Sequence, residues 1–375
     1  MEQPLRESMP DQIQNIFNQF SVEGDFISAA PYGMGHINDT YLGVFQTGST
    51  QKRFVLQSIN HHVFKEPEKL MENIQRVTRY ARQQISFRGG DPDRETLNLI
   101  PTRSGESYLC TSSGIYWRMY QFIPGASTYE VAQNLGQVYH TAKAFGAFQK
   151  MLDSLPGPRL HETIPDFHHT GKRFAAFLDA LERDPANRAA SVKPEIEFIL
   201  RRREDATRVV NLLSQGALPE RVTHNDTKLN NVMLDDQTGE GICVIDLDTM
   251  MPGSILYDFG DLIRMGTATA AEDEPDLAKV GVDLRLFEPL TRGYLDSTRD
   301  FLTPLELDLL VFSGRLITYE QAMRFLGDYL NGDTYYKIHR ERHNLDRART
   351  QIKMLAEMER QQDAMEKIVR ANRYG

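Results

Sequence analysis

The residues best equipped for chemistry lie between positions 224 and 249. The run His224-Asn225-Asp226-Thr227-Lys228-Leu229-Asn230-Asn231 sets an ammonium two residues after a carboxylate and an amide five residues after it. A second carboxylate, Asp246, ends the apolar run Ile242-Cys243-Val244-Ile245. Transfer of a phosphoryl group asks for such a set: a carboxylate to position the attacking hydroxyl, hard oxygen ligands for Mg²⁺, and a cation on the moving phosphate. Asp226 would supply the first, Asn231 and Asp246 the second, and Lys228 the third. An H-x-D tripeptide alone says little. The full H-x-D-x-K-x-x-N, then a hairpin and an Asp-ended strand, says much more. The plainer alternative is that Asp and Asn after a strand cap turns or helices. For His224 that reading is the better one, and this residue is expected to brace the loop rather than to react.

The elements around this motif must hold it in place. Asn231–Leu234 and Ile242–Ile245 flank Asp235-Asp236-Gln237-Thr238-Gly239, a hairpin loop. The first third of the chain reads as strands and turns, with Thr40–Phe45 and Arg53–Gln57 separated by Thr47-Gly48-Ser49-Thr50, an antiparallel hairpin. A helix is expected over Pro67–Gln84, then strands around Leu97–Ile100 and Ile115–Ile123. Pro124-Gly125 is a breaker and marks a boundary, giving lobes 1–123 and 124–375. Beyond it Val131, Leu135, Val138, Ala142, Phe145 and Leu152 form a helical apolar stripe. Helices are expected through Phe174–Leu181 and Glu195–Leu213, and again to the C-terminus with Leu345, Ile352, Leu355 and Met358 inward. The expected class is α+β.

Composition narrows the function classes. The chain has 375 residues and a net charge of 43 − 52 = −9, with 40% hydrophobic and 25% charged residues, which is ample for a core. So acidic a chain repels a phosphate backbone, and its one short basic run, Arg201-Arg202-Arg203, reads as a solvated helix face. No nucleic-acid partner is expected. Cys110 and Cys243 form neither a disulfide framework nor a metal-ligand spacing. No apolar run approaches a bilayer span, and the segment Met1–Phe17 lacks the apolar stretch of a signal peptide. These features point to a cytoplasmic protein with no membrane partner.

The motif with its Asp-ended strand resembles the catalytic loop and metal-binding Asp of kinases. His224–Asn231, Val244–Thr249 and Asp258-Phe259-Gly260-Asp261 look like the aminoglycoside phosphotransferase superfamily of small-molecule kinases. The resemblance narrows to its N-acetylhexosamine 1-kinase branch in several places. These are Gly33-x-Gly35-His36-Ile37-Asn38-Asp39-Thr40-Tyr41, Phe54-Val55-Leu56-Gln57-x-Ile59-Asn60, Asp246–Pro252, and Arg324-Phe325-Leu326-x-Asp328-Tyr329 through Tyr335. The matches run roughly from residue 24 to residue 355. The resemblance implies a bilobal protein-kinase-like fold, with an antiparallel-sheet nucleotide-binding lobe and a mainly helical lobe carrying the substrate site. It implies ATP and Mg²⁺ as cofactors. Gly33 and Gly35 would close over phosphates, Asn38 and Thr40 would add donors, and Gln121 to Ile123 would fall at the hinge that meets adenine.

One departure stands out. The strand position that carries a phosphate-pairing Lys in kinases holds Gln57, so Glu72 on the next helix lacks its obvious partner. Lys65 and Lys69 are candidates only by proximity. The resemblance implies that the acceptor is the anomeric hydroxyl of N-acetylglucosamine or N-acetylgalactosamine. Arg324, Asp328 and Tyr335 offer a fork donor, an acceptor and a ring for it, and Asp248 could reach either Mg²⁺ or the sugar. The spacing of Arg324 and Asp328 is equally that of a surface i,i+4 ion pair. Asp258 and Asp261 are expected to be structural, capping a helix start at Leu262–Arg264. Choline, homoserine, an aminoglycoside or another sugar remain open as acceptors, as does a non-catalytic sensor.

Overall fold

Alternating apolar positions in the first third produce strands, and the helical periods that follow produce helices. The computed structural model describes residues 9–33 and 37–374. They belong to two compact units. One comprises the chain up to Ala126 together with Leu155–Ile164 and Ile242–Met250; the other holds Ser127–Ser154, Pro165–Gly241 and the chain from Met251 onward.

The first unit is built on a sheet. Strands β1 (Asp25–Pro31), β2 (Thr40–Thr47), β3 (Thr50–Ile59), β4 (Leu99–Ile100), β5 (Leu109–Cys110) and β6 (Tyr116–Gln121) are ordered β1-β2-β3-β6-β4, with β5 also on β6. The β2–β3 hairpin closes at Thr47↔Thr50, with Gly48 in the left-handed region at φ +58°. Helix α1 (Met9–Phe17), which the sequence reading did not foresee, covers one face. Its Phe17 joins Phe20, Phe45, Phe54, Leu56, Trp117 and Met119 in an apolar cluster. Helix α2 (Pro67–Phe87) buries Leu70, Ile74 and Val77, the face expected from its period.

The second unit is mainly helical. After a two-residue strand β7 (Ala126–Ser127), α3 (Leu135–Leu152) starts at Asn134, whose side chain accepts from Gln137 N. That cap places Val131 outside the helix and 79% exposed, while Val138, Ala142, Phe145 and Leu152 are buried as expected. Helices α4 (Thr170–Arg183), α5 (Lys193–Leu200) and α6 (Asp205–Ser214) follow. The single helix expected over 195–213 is therefore two. The break holds the basic run, and Arg202 there lies over the Phe198 ring at 3.4 Å and pairs with Glu359 at 2.6 Å rather than facing solvent.

Four short strands come next in the chain: β8 (Arg221–Thr223), β9 (Val232–Asp235), β10 (Gly241–Val244), which from Ile242 belongs to the first unit, and β11 (Met251–Gly253), with β8 and β11 antiparallel. Asp235 closes the turn after β9 by accepting from Gln237 N and Thr238 N. The chain ends in α7 (Ile255–Gly266), α8 (Leu284–Thr298), α9 (Pro304–Asp308), α10 (Leu310–Leu330), α11 (His343–Arg360) and α12 (Gln362–Asn372). Helix α10 is buried on nearly every side, its Tyr319, Met323, Leu326 and Leu330 packing with Phe177, Ile199, Leu345 and Leu355. Among the described residues no helix is long and apolar enough to cross a membrane.

Gly43 marks where α1 meets the sheet, for a β-carbon there would lie 2.4 Å from the Phe17 ring. Gly43→Ala is expected to lower unfolding stability by about 1–3 kcal/mol through overpacking, read by thermal or urea unfolding. Wild-type stability would show that α1 does not press on the sheet.

Candidate active site

In the second unit, β8 ends at Thr223 and the chain turns through His224–Asn231 before β9 begins. Irregular backbone inside a protein leaves N–H groups that need partners, and α7 supplies them. Asp258 Oδ2 accepts from His224 N at 2.8 Å, and its Oδ1 accepts from Asn225 N at 2.7 Å. Its backbone oxygen takes the Thr227 hydroxyl at 2.7 Å, and Asp261 Oδ2 accepts from Thr227 N at 3.1 Å. Gln149 donates to Asp258 at 2.5 Å, and Arg264 holds Asp261 at 2.8 Å. Burial raises the Asp258 pKa, although these donors work against it. Asp258 and Asp261 are thus structural, as expected, but they lie inside α7 and hold the loop rather than capping a helix at Leu262. His224 is buried edge-on to Phe145, a brace as expected.

This clamp presents three of the expected residues together. Lys228 Nζ lies 3.0 Å from Asp226 Oδ2. Asn231 Nδ2 donates to Asp226 O at 2.8 Å and to Asp226 Oδ2 at 3.0 Å. Asp226 is about one-third exposed, so its carboxylate is pinned but reachable. Asn225 adopts φ +65°, a left-handed conformation that Asn tolerates better than most residues.

The first unit carries Asp246 and Asp248 together with Asn38, Thr40 and Gln57. Asp246 follows β10 at φ +57°, again left-handed, and opens a short 3₁₀ turn over Leu247–Thr249. Asp248 is buried and bound to Arg118, with Asn38 Nδ2 donating to its second oxygen at 2.7 Å. Arg118 Nε donates to Gln57 Oε1 at 3.0 Å, and Gln57 Nε2 donates to Thr40 Oγ1 at 3.2 Å. Asn38 Oδ1 accepts from Asn60 N at 3.0 Å. Asn38, Thr40, Gln57 and Asp248 therefore form one network. Its centre, Arg118, is the residue that sequence reasoning missed; the signal was an arginine inside the apolar strand run Tyr116–Gln121.

Gly33 sits on the turn after β1 at φ +80° with open space where a β-carbon would stand; Gly35 lies outside the described residues. Gln121 accepts from Asn98 Nδ2 at 3.0 Å, and Ile123 is buried. Glu72 finds His161 at 2.8 Å, and Lys69 pairs with Glu66 at 2.6 Å.

On α10, Arg324 lies over the Phe167 and Tyr336 rings at 5.8 and 5.7 Å, and Tyr335, largely exposed, packs edge-on to Tyr336. Asp328 points its carboxylate into its own loop. It accepts from Thr334 N, Tyr335 N and Tyr336 N at 2.8–3.0 Å and from Asn344 Nδ2 at 2.8 Å. It thereby sets the two tyrosines. Burial works against the Arg324 charge, but Tyr336, then Glu320 one turn earlier, and Tyr335 outweigh it, and its pKa is raised. Glu320 is buried, binds His168 Nδ1 at 2.8 Å and accepts the Thr170 hydroxyl at 2.6 Å, while His168 Nε2 reaches Asn225 O at 3.4 Å. Burial alone would raise the Glu320 pKa, but His168, Arg324 and Thr170 outweigh it and hold it below the usual value.

Residues 28–292 match the profile of APH, the phosphotransferase enzyme family. The chain belongs to this family. Its fold is shared with several solved phosphotransferases. An aminoglycoside phosphotransferase from Alicyclobacillus acidocaldarius superposes with a TM-score of 0.61 at 12% identity, covering 99% of this chain and 98% of that one. A choline kinase from Cryptosporidium parvum gives 0.60 at 13% identity, covering 97% and 99%. A spectinomycin phosphotransferase, solved with ADP and spectinomycin, gives 0.57 at 14% identity, covering 95% and 98%. This member of the phosphotransferase enzyme family has an antiparallel N-terminal sheet and a helical C-terminal part.

Because the Glu320 pKa is lowered on folding, its stabilisation is present above the ordinary Glu value near 4.3 and is lost as pH falls through the lower folded value. Glu320→Gln is expected to destabilise the protein by about 3 kcal/mol at neutral pH and to flatten the loss of stability below about pH 4.3. Unfolding curves across pH check it, and an unchanged slope would remove Glu320 from the acid response.

Proposed function

We propose that this phosphotransferase moves the γ-phosphoryl group of Mg²⁺·ATP to the anomeric hydroxyl of an N-acetylhexosamine, giving the 1-phosphate. The observation that carries the reading is the clamped loop in which Asp226 keeps Lys228 and Asn231 at 3.0 Å. Asp226 orients the sugar hydroxyl and accepts its proton as that oxygen bonds to the γ-phosphorus and the bond to ADP breaks. Lys228 offsets charge on the transferred group. An anomeric hydroxyl is more acidic than an ordinary alcohol, so the proton can move late.

The donor set suits Mg²⁺. Asn231 has its amide nitrogen bound within the loop, so its oxygen, a hard donor, is the end that can ligate, and Asp246 offers carboxylate oxygens. Among the described residues no three His, Cys, Asp or Glu gather into a metal cage, and an ion held by one or two side chains and substrate phosphates needs none. When bound, Mg²⁺ would neutralise charge on the phosphates. Asn231 and Asp246 would hold it, and Asn38, Thr40 and the backbone around Gly33 and Gly35 would serve the nucleotide, with Gln121 and Ile123 at the adenine.

On the acceptor side, Arg324 already lies over the Phe167 and Tyr336 rings. A guanidinium there works against a cationic acceptor such as choline or an aminoglycoside and favours a neutral one with hydroxyl and amide groups. Arg324 donates to the sugar and Tyr335 offers a ring, while Asp328 acts by setting the tyrosine loop and Asp248 by anchoring the segment that carries Asp246.

Asp226→Asn is expected to keep the fold and ADP binding while lowering kcat about 10²–10⁴-fold; turnover near wild type would remove the assigned role. Incubation with Mg²⁺·ATP and a panel of N-acetylhexosamines, other sugars, choline and aminoglycosides, followed by ³¹P coupling, is expected to place the new phosphate on C1 of an N-acetylhexosamine. Phosphate on a cationic acceptor alone would overturn the acceptor assignment and leave the kinase reading standing.

A further inference from the structure

Gln57 on β3 and Arg118 on β6 face each other directly in the ladder. The neighbour explains the amide. Gln57 must accept from Arg118 Nε at one end and donate to Thr40 Oγ1 at the other. A lysine can only donate, and it would set a second cation against the guanidinium. Arg118 is almost wholly buried. Burial works against its charge, yet the adjoining Asp248 carboxylate more than offsets this, and the pKa is raised. Asp248 in turn binds Asn38, so the network that starts at Thr40, the first residue of β2, returns to Asn38 just before that strand. Asp248 is two residues past Asp246, and its backbone oxygen takes the Thr163 hydroxyl at 3.2 Å.

We propose that Arg118 is the positioning residue for the cation-binding segment: from β6, through Asp248, it fixes the backbone that carries Asp246 and ties Asn38 to it. The ion pair that kinases build between a strand lysine and a helix glutamate is thereby relocated. The strand partner moves one strand across the sheet, and the acid moves from the helix to the segment beside Asp246. This inference rests on the kinase reading. It accounts for both halves of the departure seen in the sequence: the amide at Gln57 and the turning of Glu72 to His161.

The test is calorimetric titration of ADP into the full chain with and without Mg²⁺, alongside thermal unfolding of the ligand-free protein. Wild type is expected to bind ADP more tightly with Mg²⁺. Arg118→Gln is expected to reduce that enhancement tenfold or more while keeping Mg²⁺-free affinity within threefold. A merely structural role would lower both affinities together and leave their ratio unchanged, which overturns the proposal. Should Arg118→Gln not fold, Arg118→Lys is read the same way: it keeps a cation but loses the fork, with at least a threefold drop in enhancement expected and an unchanged ratio overturning. Wild-type protein that binds no ADP in either condition would instead overturn the kinase reading beneath it.

Discussion

Backbone that follows neither a helix nor a strand can be buried only if its N–H groups are satisfied by something fixed. The loop from His224 to Asn231 meets that constraint through Asp258. One buried carboxylate accepts from two successive N–H groups, and the next acid on the same helix, Asp261, takes a third. The rest of the second unit follows. Helix α7 must be rigid, so Gln149 and Arg264 tether its acids and Ser254 caps its start. The loop's outer side then meets His168, which Glu320 holds from the long buried helix α10. Asp226 is placed by the satisfaction of its neighbours' backbones as much as by its own contacts.

The first unit solves a comparable problem with side chains. An arginine inside a sheet core would be destabilising alone; here it finds Asp248 on one side and an amide on the other. Along Thr40, Gln57, Arg118, Asp248 and Asn38, donors and acceptors meet in matching sense. Such matching makes a buried polar network rigid instead of costly. Asp246, two residues before Asp248, adopts a left-handed conformation at φ +57°, which Asp tolerates better than most residues.

How much of this was legible follows from the range over which each signal acts. The hairpin of β2 and β3, the inward face of α2 and the set Asp226, Lys228, Asn231 are written in spacings of a few residues, and the sequence reading has them. The start of α3 was misplaced because the apolar period ran on past Asn134, where a side-chain cap overrides it. The bond from Asp258 to His224 spans 34 residues and that from Arg118 to Asp248 spans 130, distances at which no local pattern exists. Asp328 shows the opposite failure. Its helical spacing from Arg324 was real, but the carboxylate turns to the N–H groups that follow it, which spacing does not encode.

The fastening of α2 has a consequence for control. Glu72 holds His161, while Asn73 donates to His161 O at 2.8 Å and to Met250 O at 3.1 Å. Rotating this helix outward, the device by which many signalling enzymes are silenced, would here tear the chain just past Asp246. Helix α2 and the segment that follows Asp246 are therefore expected to shift as one piece, through the shared Asn73 amide.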